Sequence, residues 1–294
     1  MRISLIKYKI FSNAKINIGL NVFQKESDGY HNIDSIMAPI DLSDEMDVIF
    51  YSENGELKIE CSDSGIPTDE RNILSKTYKI FFESLKKENE KIDIFLKKNI
   101  PSEAGLGGGS SNAAFFLKLL NEHYGNIYNE SELEELAMKI GSDVPFFIKN
   151  KTARVRGKGN KVELIENNLK DSIILIKPLD FGVSTKEAYD SFDNLKEVKY
   201  ADFDKIIDSL KKDNRIALEN NIENNLEQGI LETNIEVKIF KMTLNSVVSG
   251  KKFFMSGSGS TYYTFVTELE KSQIETRLKT FVDNVKIIIC KTIK

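Results

Sequence analysis

The sequence predicts a protein of mixed α-helices and β-strands, folded as one large domain or as two domains of ordinary size. Several segments alternate apolar and polar residues, as half-buried strands do. Other segments carry apolar residues at helical spacing, which is typical of amphipathic helices. The chain has 294 residues, of which 40% are hydrophobic and 29% are charged. That length and composition allow a sizeable buried core.

The first third of the chain contains mainly predicted strands. In AKINIGLNVF (residues 14–23) every second residue is apolar, so Lys15 and Asn17 share one face of a strand. Those two polar residues are either functional or part of a solvated strand face. Asp28 and Gly29 predict a turn. The predicted elements of this region are strands at 8–11, 14–23, 33–40, 46–51 and 57–61, and a helix at 72–88.

A glycine-rich loop, PSEAGLGGGSSNAAFF (residues 101–116), follows a predicted strand at 92–100 and opens a predicted helix. Glycine permits close approach of the backbone to a ligand. A helix N-terminus offers unpaired N–H groups and the positive end of its dipole. This combination predicts an anion site, most often used for phosphate. The alternative is a turn without a ligand. The loop lacks the Gly-Lys-Ser/Thr of a P-loop and the third glycine of a dinucleotide fingerprint.

The remaining chain contains a second helical region and a second strand-led region. A helix is predicted at 130–140, and Pro145 then predicts a chain reversal at or near Asp143. Asp143 is either functional or a cap or turn residue. Further predictions are a hairpin at 154–164, a strand after Asp171, a Gly/Ser turn within 253–266, a helix at 268–281 and a strand at 285–290. A polar stretch predicts a domain boundary near residue 168.

Charge and composition argue against several classes of protein. A net charge of −4 gives no general basic field for nucleic acid. No apolar run reaches the roughly 20 residues of a membrane span, and the N-terminus does not resemble a signal peptide. Cys61 and Cys290 are far apart and lack metal-ligand spacing, which favours a cytoplasmic protein. We therefore expect no nucleic-acid partner and no membrane partner.

Six segments resemble one superfamily of small-molecule kinases. It comprises galactokinase, homoserine kinase, mevalonate kinase and phosphomevalonate kinase (the GHMP kinases). The resemblance spans nearly the whole chain. GLGGGSSNAA marks the superfamily, and AKIN, DGYH and GSDVPFF together point to members that act on cytidine-diphosphate methylerythritol. The six segments are AKINIGLNV, DGYHNIDSI, PSEAGLGGGSSNAA, GSDVPFF, GVSTKEAY and MSGSGS.

The resemblance implies an α+β fold of two domains with the active site in the cleft between them. The N-terminal ATP-binding domain would span residues 1–168 and the C-terminal domain residues 169–294. It also implies ATP-dependent phosphorylation of the 2-hydroxyl of cytidine-diphosphate methylerythritol, in the non-mevalonate route to isoprenoids. The expected partners are this small molecule and ATP, and the protein would be a monomer or a homodimer.

The resemblance also implies roles for individual residues. Lys15 and Asp143 match the catalytic pair. The substrate-binding matches are Asn17, Tyr30, His31 and Tyr189, with the two tyrosines flanking the cytosine and His31 hydrogen-bonding to its edge. Gly257, Ser258 and Gly259 match a third motif that closes over the phosphates, and Ser260 stands where proline or alanine is common. The ATP-binding matches are Pro101, Ala104, Gly105, Leu106, Gly107, Gly108, Gly109, Ser110 and Ser111.

Three points stay open from the sequence. Mg²⁺ is expected with ATP, but no carboxylate cluster indicates a dedicated metal site; Ser110 or Ser111 can supply an oxygen. Asp143 acts either as a general base or as a group that orients the acceptor hydroxyl. The rival functions are another kinase of the superfamily and a kinase-like sensor without activity. The presence of Lys15 and Asp143 favours an enzyme over a sensor.

Overall fold

The computed structural model describes residues 5–293, which form two compact units built from interleaved segments. One unit contains the chain up to Ala14, Leu42–Ile100 and Gly107–Asn150. The other contains Lys15–Asp41, Pro101–Leu106 and the chain from Lys151 onward. Helices and strands occur in both units, so the predicted α+β class is confirmed. The boundary near residue 168 stays a prediction.

The elements follow one another along the chain as strands and helices of very different length. In order they are β1 (Ile6–Lys25), β2 (His31–Asn54), β3 (Leu57–Cys61), α1 (Ile73–Leu85), β4 (Glu90–Lys97), α2 (Gly108–His123), α3 (Glu130–Ile140), α4 (Val144–Lys149), β5 (Ala153–Gly157), β6 (Lys161–Leu164), β7 (Ser172–Pro178), α5 (Thr185–Asp193), α6 (Phe203–Lys211), α7 (Arg215–Glu219), α8 (Asn225–Thr233), α9 (Ile235–Val247), β8 (Phe254–Met255), β9 (Tyr262–Val266), α10 (Glu268–Phe281) and β10 (Val285–Cys290).

Most predicted elements are confirmed, and β3, α3, α10 and β10 begin and end where the sequence predicts. The strands predicted at 8–11 and 14–23 form one strand, β1, and those at 33–40 and 46–51 form β2. Polar residues interrupt the alternation in both, yet their backbone stays extended. Helix α4 was not predicted, because six residues are too few to show a helical repeat.

The first unit is a small sheet with four helices packed together. The second half of β2 pairs with β4 in antiparallel orientation, and β3 pairs with β4 in parallel. Helix α1 connects those two parallel strands, as parallel pairing requires a crossover. Its N-cap is Asn72, whose side chain accepts a hydrogen bond from Leu74 N. Phenylalanine rings fill the unit's core: Phe81, Phe82, Phe116, Phe146 and Phe147 are fully buried.

The second unit contains two groups of antiparallel strands. The first half of β2 pairs with β5, which pairs with β6. The strand order of the other sheet is β10-β7-β9-β8. Strand β7 is buried along its whole length, because a neighbouring strand lies on each side and its residues face the core. Along residues 5–293, no helix has both the length and the apolar character needed to cross a membrane.

A buried polar network holds the first turns of α2 within the first unit. Asp44 is fully buried, and its Oδ1 accepts hydrogen bonds from the backbone N–H groups of Asn99 (2.8 Å) and Ile100 (2.9 Å). Its Oδ2 pairs with the Lys98 ammonium and accepts a 3.0 Å bond from Asn112 Nδ2. Asn112 belongs to α2 and also donates to Ser12 Oγ at 2.7 Å. This network fixes where the helix after the glycine loop begins.

We predict that Asp44→Ala strongly destabilises the protein, because it leaves a buried ammonium and two backbone N–H groups without their acceptor. Loss of one partner of a buried ion pair costs about 3–5 kcal/mol. Denaturant unfolding measures that loss. The neighbouring Glu45 pairs with Lys9 and Lys97 nearer the surface, so Glu45→Ala is the control and should cost far less. Equal losses for both variants would contradict the structural role of the network.

Candidate active site

Lys15 is a buried lysine held on β1 in the second unit, with only 3% of its surface exposed. Its Nζ donates to Asn17 Oδ1 at 2.5 Å and to the Gly105 carbonyl at 3.0 Å. Asn17 is buried as well, and its Nδ2 donates to Ser35 Oγ at 2.9 Å. The two residues therefore share a strand face, as predicted. That face is buried, so the solvated alternative is wrong.

The Gly105 backbone packs directly against Ser256, the residue before the third motif (Gly257 to Gly259). Ser256 Oγ donates to the Gly105 carbonyl at 2.9 Å. A Cβ on Gly105 would lie 1.9 Å from the Ser256 carbonyl oxygen, and the Gly105 φ of +70° also disfavours a side chain. Only glycine fits this position. A Cβ on Gly257 would lie 3.3 Å from Lys15 Nζ and 3.2 Å from Asn17 Oδ1, so the motif forms a wall beside these groups.

The glycine loop leads into the N-terminus of α2 in the first unit. Gly107 is the N-cap with φ +70°, and it provides no side-chain cap. The first turn of this 16-residue helix also lacks an acidic residue. Its first N–H groups therefore keep hydrogen-bonding capacity for an anion. The predicted strand–loop–helix arrangement is confirmed, and the anion itself stays a prediction.

Ser111 provides a second observation at the same helix end. The residue is fully buried, and its Oγ has no hydrogen-bond partner within the described chain. A buried hydroxyl without a partner costs free energy unless a ligand or water satisfies it. Ser110 precedes it and is partly exposed. These hydroxyls and the uncapped N–H groups fit a phosphate group and the cation that accompanies it.

Asp143 lies at the start of α4 in the first unit, in the N-cap position. Its side chain makes no cap hydrogen bond to that helix, unlike the N-cap residues of α3 and α5. The common role of an aspartate at such a position is to cap through its carboxylate. Asp143 lies in a turn and does not cap α4 through its side chain, so its functional role stays a prediction.

The DGYH segment forms the turn between β1 and β2, in the second unit. Gly29 has φ +84°, and Gly29 N donates to the Glu26 carbonyl at 2.9 Å, so the predicted turn is confirmed. Tyr30 is 67% exposed and has the Lys158 ammonium 5.6 Å from its ring centroid. An aromatic ring this exposed can stack on a flat ligand.

His31 is much less accessible than Tyr30, since only 5% of its side chain is exposed. Its Nδ1 lies 2.8 Å from the Phe23 carbonyl; a carbonyl only accepts, so Nδ1 carries a proton. Its Nε2 lies 3.4 Å from Asp193 Oδ1. The imidazole also contacts the Tyr189 ring, with 5.0 Å between centroids. The structure therefore brings His31 and Tyr189 together, with Asp193 beside them.

Several supporting residues were not predicted as part of the site. Ser256 bridges Asn17 N and the Gly105 carbonyl, and Tyr263 donates to the Asn17 carbonyl at 2.9 Å. Asn224 Nδ2 donates to the Met255 and Gly257 carbonyls at 2.8 and 2.9 Å. Ser256 adjoins the third motif, which was a usable signal. Asn224 carries no signal in the sequence.

Among residues 5–293, no group of three or more His, Cys, Asp or Glu residues could hold a metal ion.

Comparisons with known proteins show which family the chain belongs to. Residues 72–151 match the family described as GHMP kinases N terminal domain. A 4-diphosphocytidyl-2-C-methyl-D-erythritol kinase of Fusobacterium nucleatum subsp. nucleatum is 88% identical over 293 residues, covering 100% of both chains. A kinase of the same name from Persephonella marina is 42% identical over 263 residues, covering 88% of this chain and 93% of its own.

The fold has a similar match among solved structures. A crystal structure of 4-(cytidine 5'-diphospho)-2C-methyl-D-erythritol kinase aligns with a TM-score of 0.75 and 24% identity, over 96% of this chain and 99% of that one. The fold is therefore that of the GHMP kinases, as the sequence predicted. Within that class, the chain belongs to the family of 4-diphosphocytidyl-2-C-methyl-D-erythritol kinases. The predicted family resemblance is confirmed.

We predict that Gly109→Ala weakens ATP binding without destabilising the protein. A Cβ at this position has only Ile73 Cγ2 nearby, at 3.9 Å, so the methyl group fits the folded chain. Alanine also favours a helix over glycine by up to ~1 kcal/mol. The methyl group would nevertheless obstruct close approach of a phosphate to the first turn. Calorimetry should show a loss of ATP affinity of at least ~tenfold, or ~1.4 kcal/mol, with an equal or higher melting temperature. Unchanged affinity would contradict the anion site.

Proposed function

We propose that this protein uses ATP to phosphorylate the 2-hydroxyl of 4-diphosphocytidyl-2-C-methyl-D-erythritol, in the non-mevalonate route to isoprenoid precursors. The observation that carries the proposal is the 88% identity over 293 residues to a kinase of that name. The chemistry of the candidate site is consistent with it. Phosphoryl transfer depends mainly on positioning and on neutralising charge, because little covalent work falls to the protein.

Lys15 is the residue that we assign to charge neutralisation beside the acceptor hydroxyl. Its ammonium is held by two oxygen acceptors and by a buried strand, so it is already oriented before any substrate binds. A fixed cation stabilises developing negative charge without reorganisation during the reaction. Asn17 orients this lysine and is itself held through Ser35. We also assign Asn17 to the substrate site.

Asp143 is the residue that we assign to the acceptor proton. A carboxylate near the hydroxyl can accept its proton as a general base, or it can orient the oxygen and take the proton late in the transfer. Asp143 lies in the N-cap position of α4 and makes no cap hydrogen bond to that helix. Both alternatives require the carboxylate and neither requires a change in the fold.

The segment from Pro101 to Ser111 is the one that we assign to ATP. The uncapped first turn of α2 would bind phosphate oxygens through its N–H groups, and Gly105 and Leu106 precede it in the loop. Mg²⁺ bound with ATP would neutralise phosphate charge, and the Ser110 or Ser111 hydroxyl would supply an oxygen to it. The buried, unpartnered Ser111 Oγ supports this assignment.

Tyr30, His31 and Tyr189 are the residues that we assign to the cytosine. Tyr30 is exposed and offers a stacking surface, and Tyr189 lies in contact with His31. The His31 imidazole is nearly enclosed, and its Nε2 has no hydrogen-bond partner within the described chain. We assign this imidazole to the hydrogen bond that reads the base edge. We further propose a cytoplasmic monomer or homodimer; both cysteines are free thiols, which agrees with that location.

A coupled assay of ADP release with purified protein tests the proposed function. We expect turnover with the cytidyl substrate and none above background with homoserine or mevalonate, the acceptors of related kinases. Asp143→Asn should keep ATP binding and the melting temperature but lose ~10²–10⁴-fold in kcat, the usual contribution of general acid–base catalysis.

The matched control for this variant is Asp202→Asn. Asp202 is the N-cap of α6 and accepts a hydrogen bond from Lys205 N, a role that asparagine preserves. Its kcat should equal that of the wild type. If Asp143→Asn keeps turnover within a few-fold of wild type, Asp143 is not the catalytic carboxylate. If wild type prefers homoserine or mevalonate, the substrate assignment is wrong.

We predict distinct effects for the two residues of the DGYH turn. Tyr30→Ala should raise KM for the cytidyl substrate, since stacking on an aromatic ring contributes ~1–3 kcal/mol. The ring is exposed, so the melting temperature should not change. His31→Ala should also lower the ratio of kcat/KM for cytidyl over uridyl analogues, because selection depends on hydrogen bonds to the base edge.

Phe281→Ala is the control for removing an exposed aromatic ring, because Phe281 is 63% exposed at the end of α10. It should change neither KM nor the cytidyl-to-uridyl ratio. The DGYH turn has only a structural role if Tyr30→Ala and His31→Ala behave like this control.

A further inference from the structure

Lys177, like Lys15, is a buried lysine of the second unit. It lies on β7 and is 8% exposed. Its Nζ donates to Ser260 Oγ at 2.6 Å and lies 3.4 Å from the Phe181 carbonyl oxygen. Ser260 directly follows the Gly257–Gly259 motif and is itself fully buried. The end of this motif is therefore in direct contact with a buried cation.

Keeping the Lys177 ammonium charged in this buried position costs free energy. The four residues that precede Lys177 in β7, Ile173 to Ile176, are apolar and fully or almost fully buried. Burial lowers the pKa of Lys177, and the negative charge of Glu103 acts in the opposite direction. Glu103 itself is exposed and lies at the start of the glycine loop. A buried charge of this kind requires compensating hydrogen bonds, and an apolar residue would avoid the cost.

Through Ser260, Lys177 contacts the loop that lies beside Lys15. The third motif is fixed at its beginning by Ser256, which bonds to Asn17 N and to the Gly105 carbonyl. Its end is fixed by the hydrogen bond from Lys177 to Ser260. Between these two anchors lies Gly257, whose absent Cβ would come within 3.3 Å of Lys15 Nζ. Displacement of the motif would therefore change the space around the Lys15 ammonium.

We propose that Lys177 is a positioning residue for phosphoryl transfer: its hydrogen bond to Ser260 holds the Gly257–Ser260 loop against Gly105 and Lys15. The inference rests on the proposed kinase function for its kinetic consequence. Its structural consequence, a loop held by one buried lysine, does not depend on the identity of the substrate.

The test compares Lys177→Met, Lys177→Arg, Ser260→Ala and the double variant Lys177→Met/Ser260→Ala. Methionine keeps the length of the side chain and removes its charge and donors. We expect kcat to fall by ~10- to 100-fold in Lys177→Met, as small misplacements in a site do, while KM for the cytidyl substrate changes less than about threefold. Arginine retains donors for Ser260 and should recover part of kcat.

The double variant should have nearly the same kcat as Lys177→Met, because both changes remove the same hydrogen bond. Lys251→Met is the control for loss of a buried lysine. The Lys251 side chain is 10% exposed and pairs with Glu270 at 2.8 Å, so its loss should lower the melting temperature without lowering kcat. A wild-type kcat in Lys177→Met, or an equal fall in Lys251→Met, would overturn the proposal.

Hydrogen exchange provides a readout that is independent of turnover. Ser256 N donates to the Thr261 carbonyl and Gly259 N to the Ser256 carbonyl, both at 2.9 Å. These amides should exchange faster in Lys177→Met and not in Lys251→Met. If wild type does not phosphorylate the cytidyl substrate, the proposed function fails, and this exchange measurement still decides the role of Lys177. Unchanged exchange at these two amides would refute that role.

Discussion

In the second unit, the packing around Lys15 depends on the direct contact between the Gly105 and Ser256 backbones. A single methyl group at Gly105 would lie 1.9 Å from the Ser256 carbonyl oxygen, so the contact exists only because that side chain is absent. The same contact presents the Gly105 carbonyl to Lys15 Nζ and to Ser256 Oγ. One backbone carbonyl thereby fixes a cation, a hydroxyl and the start of the third motif. Segments separated by more than 100 residues converge at this point because backbone can approach backbone there.

The elements that carry these groups were largely predictable, since their signals are local. The alternation around Lys15 and the helical stripe of α3 each lie within a single element. The short helix α4 was missed because it is shorter than the window needed to see its period. This helix matters for the candidate site, because Asp143 is its N-cap residue and makes no cap hydrogen bond to it.

Contacts between distant residues could not be predicted from one sequence. Asp44 meets Lys98 and Asn112, and Lys177 meets Ser260, across 54 to 83 residues. Each of these side chains looks like an ordinary surface residue in the sequence, because charged residues are rarely buried. The burial of the His31 side chain could not be predicted from the sequence either. Its ring packs on Tyr189 and faces Asp193, both far along the chain. Only the packing shows that its imidazole is nearly enclosed, with Nδ1 bonded to the Phe23 carbonyl and Nε2 without a hydrogen-bond partner in the described chain.

The burial of Lys15 resolves an apparent conflict between the net charge of the protein and the negative charge of its proposed ligands. The chain carries a net charge of −4, yet ATP and a cytidine diphosphate are both strongly anionic. General attraction at the surface cannot assist such ligands, and surface charges are screened by salt in any case. Lys15 is enclosed instead, where the effective dielectric constant is lower and a charge acts more strongly over short distances. Its hydrogen bonds to Asn17 and Gly105 hold it in place and offset part of the cost of burial. Specific binding of an anion by an acidic protein then follows from where a few charges are fixed rather than from their sum.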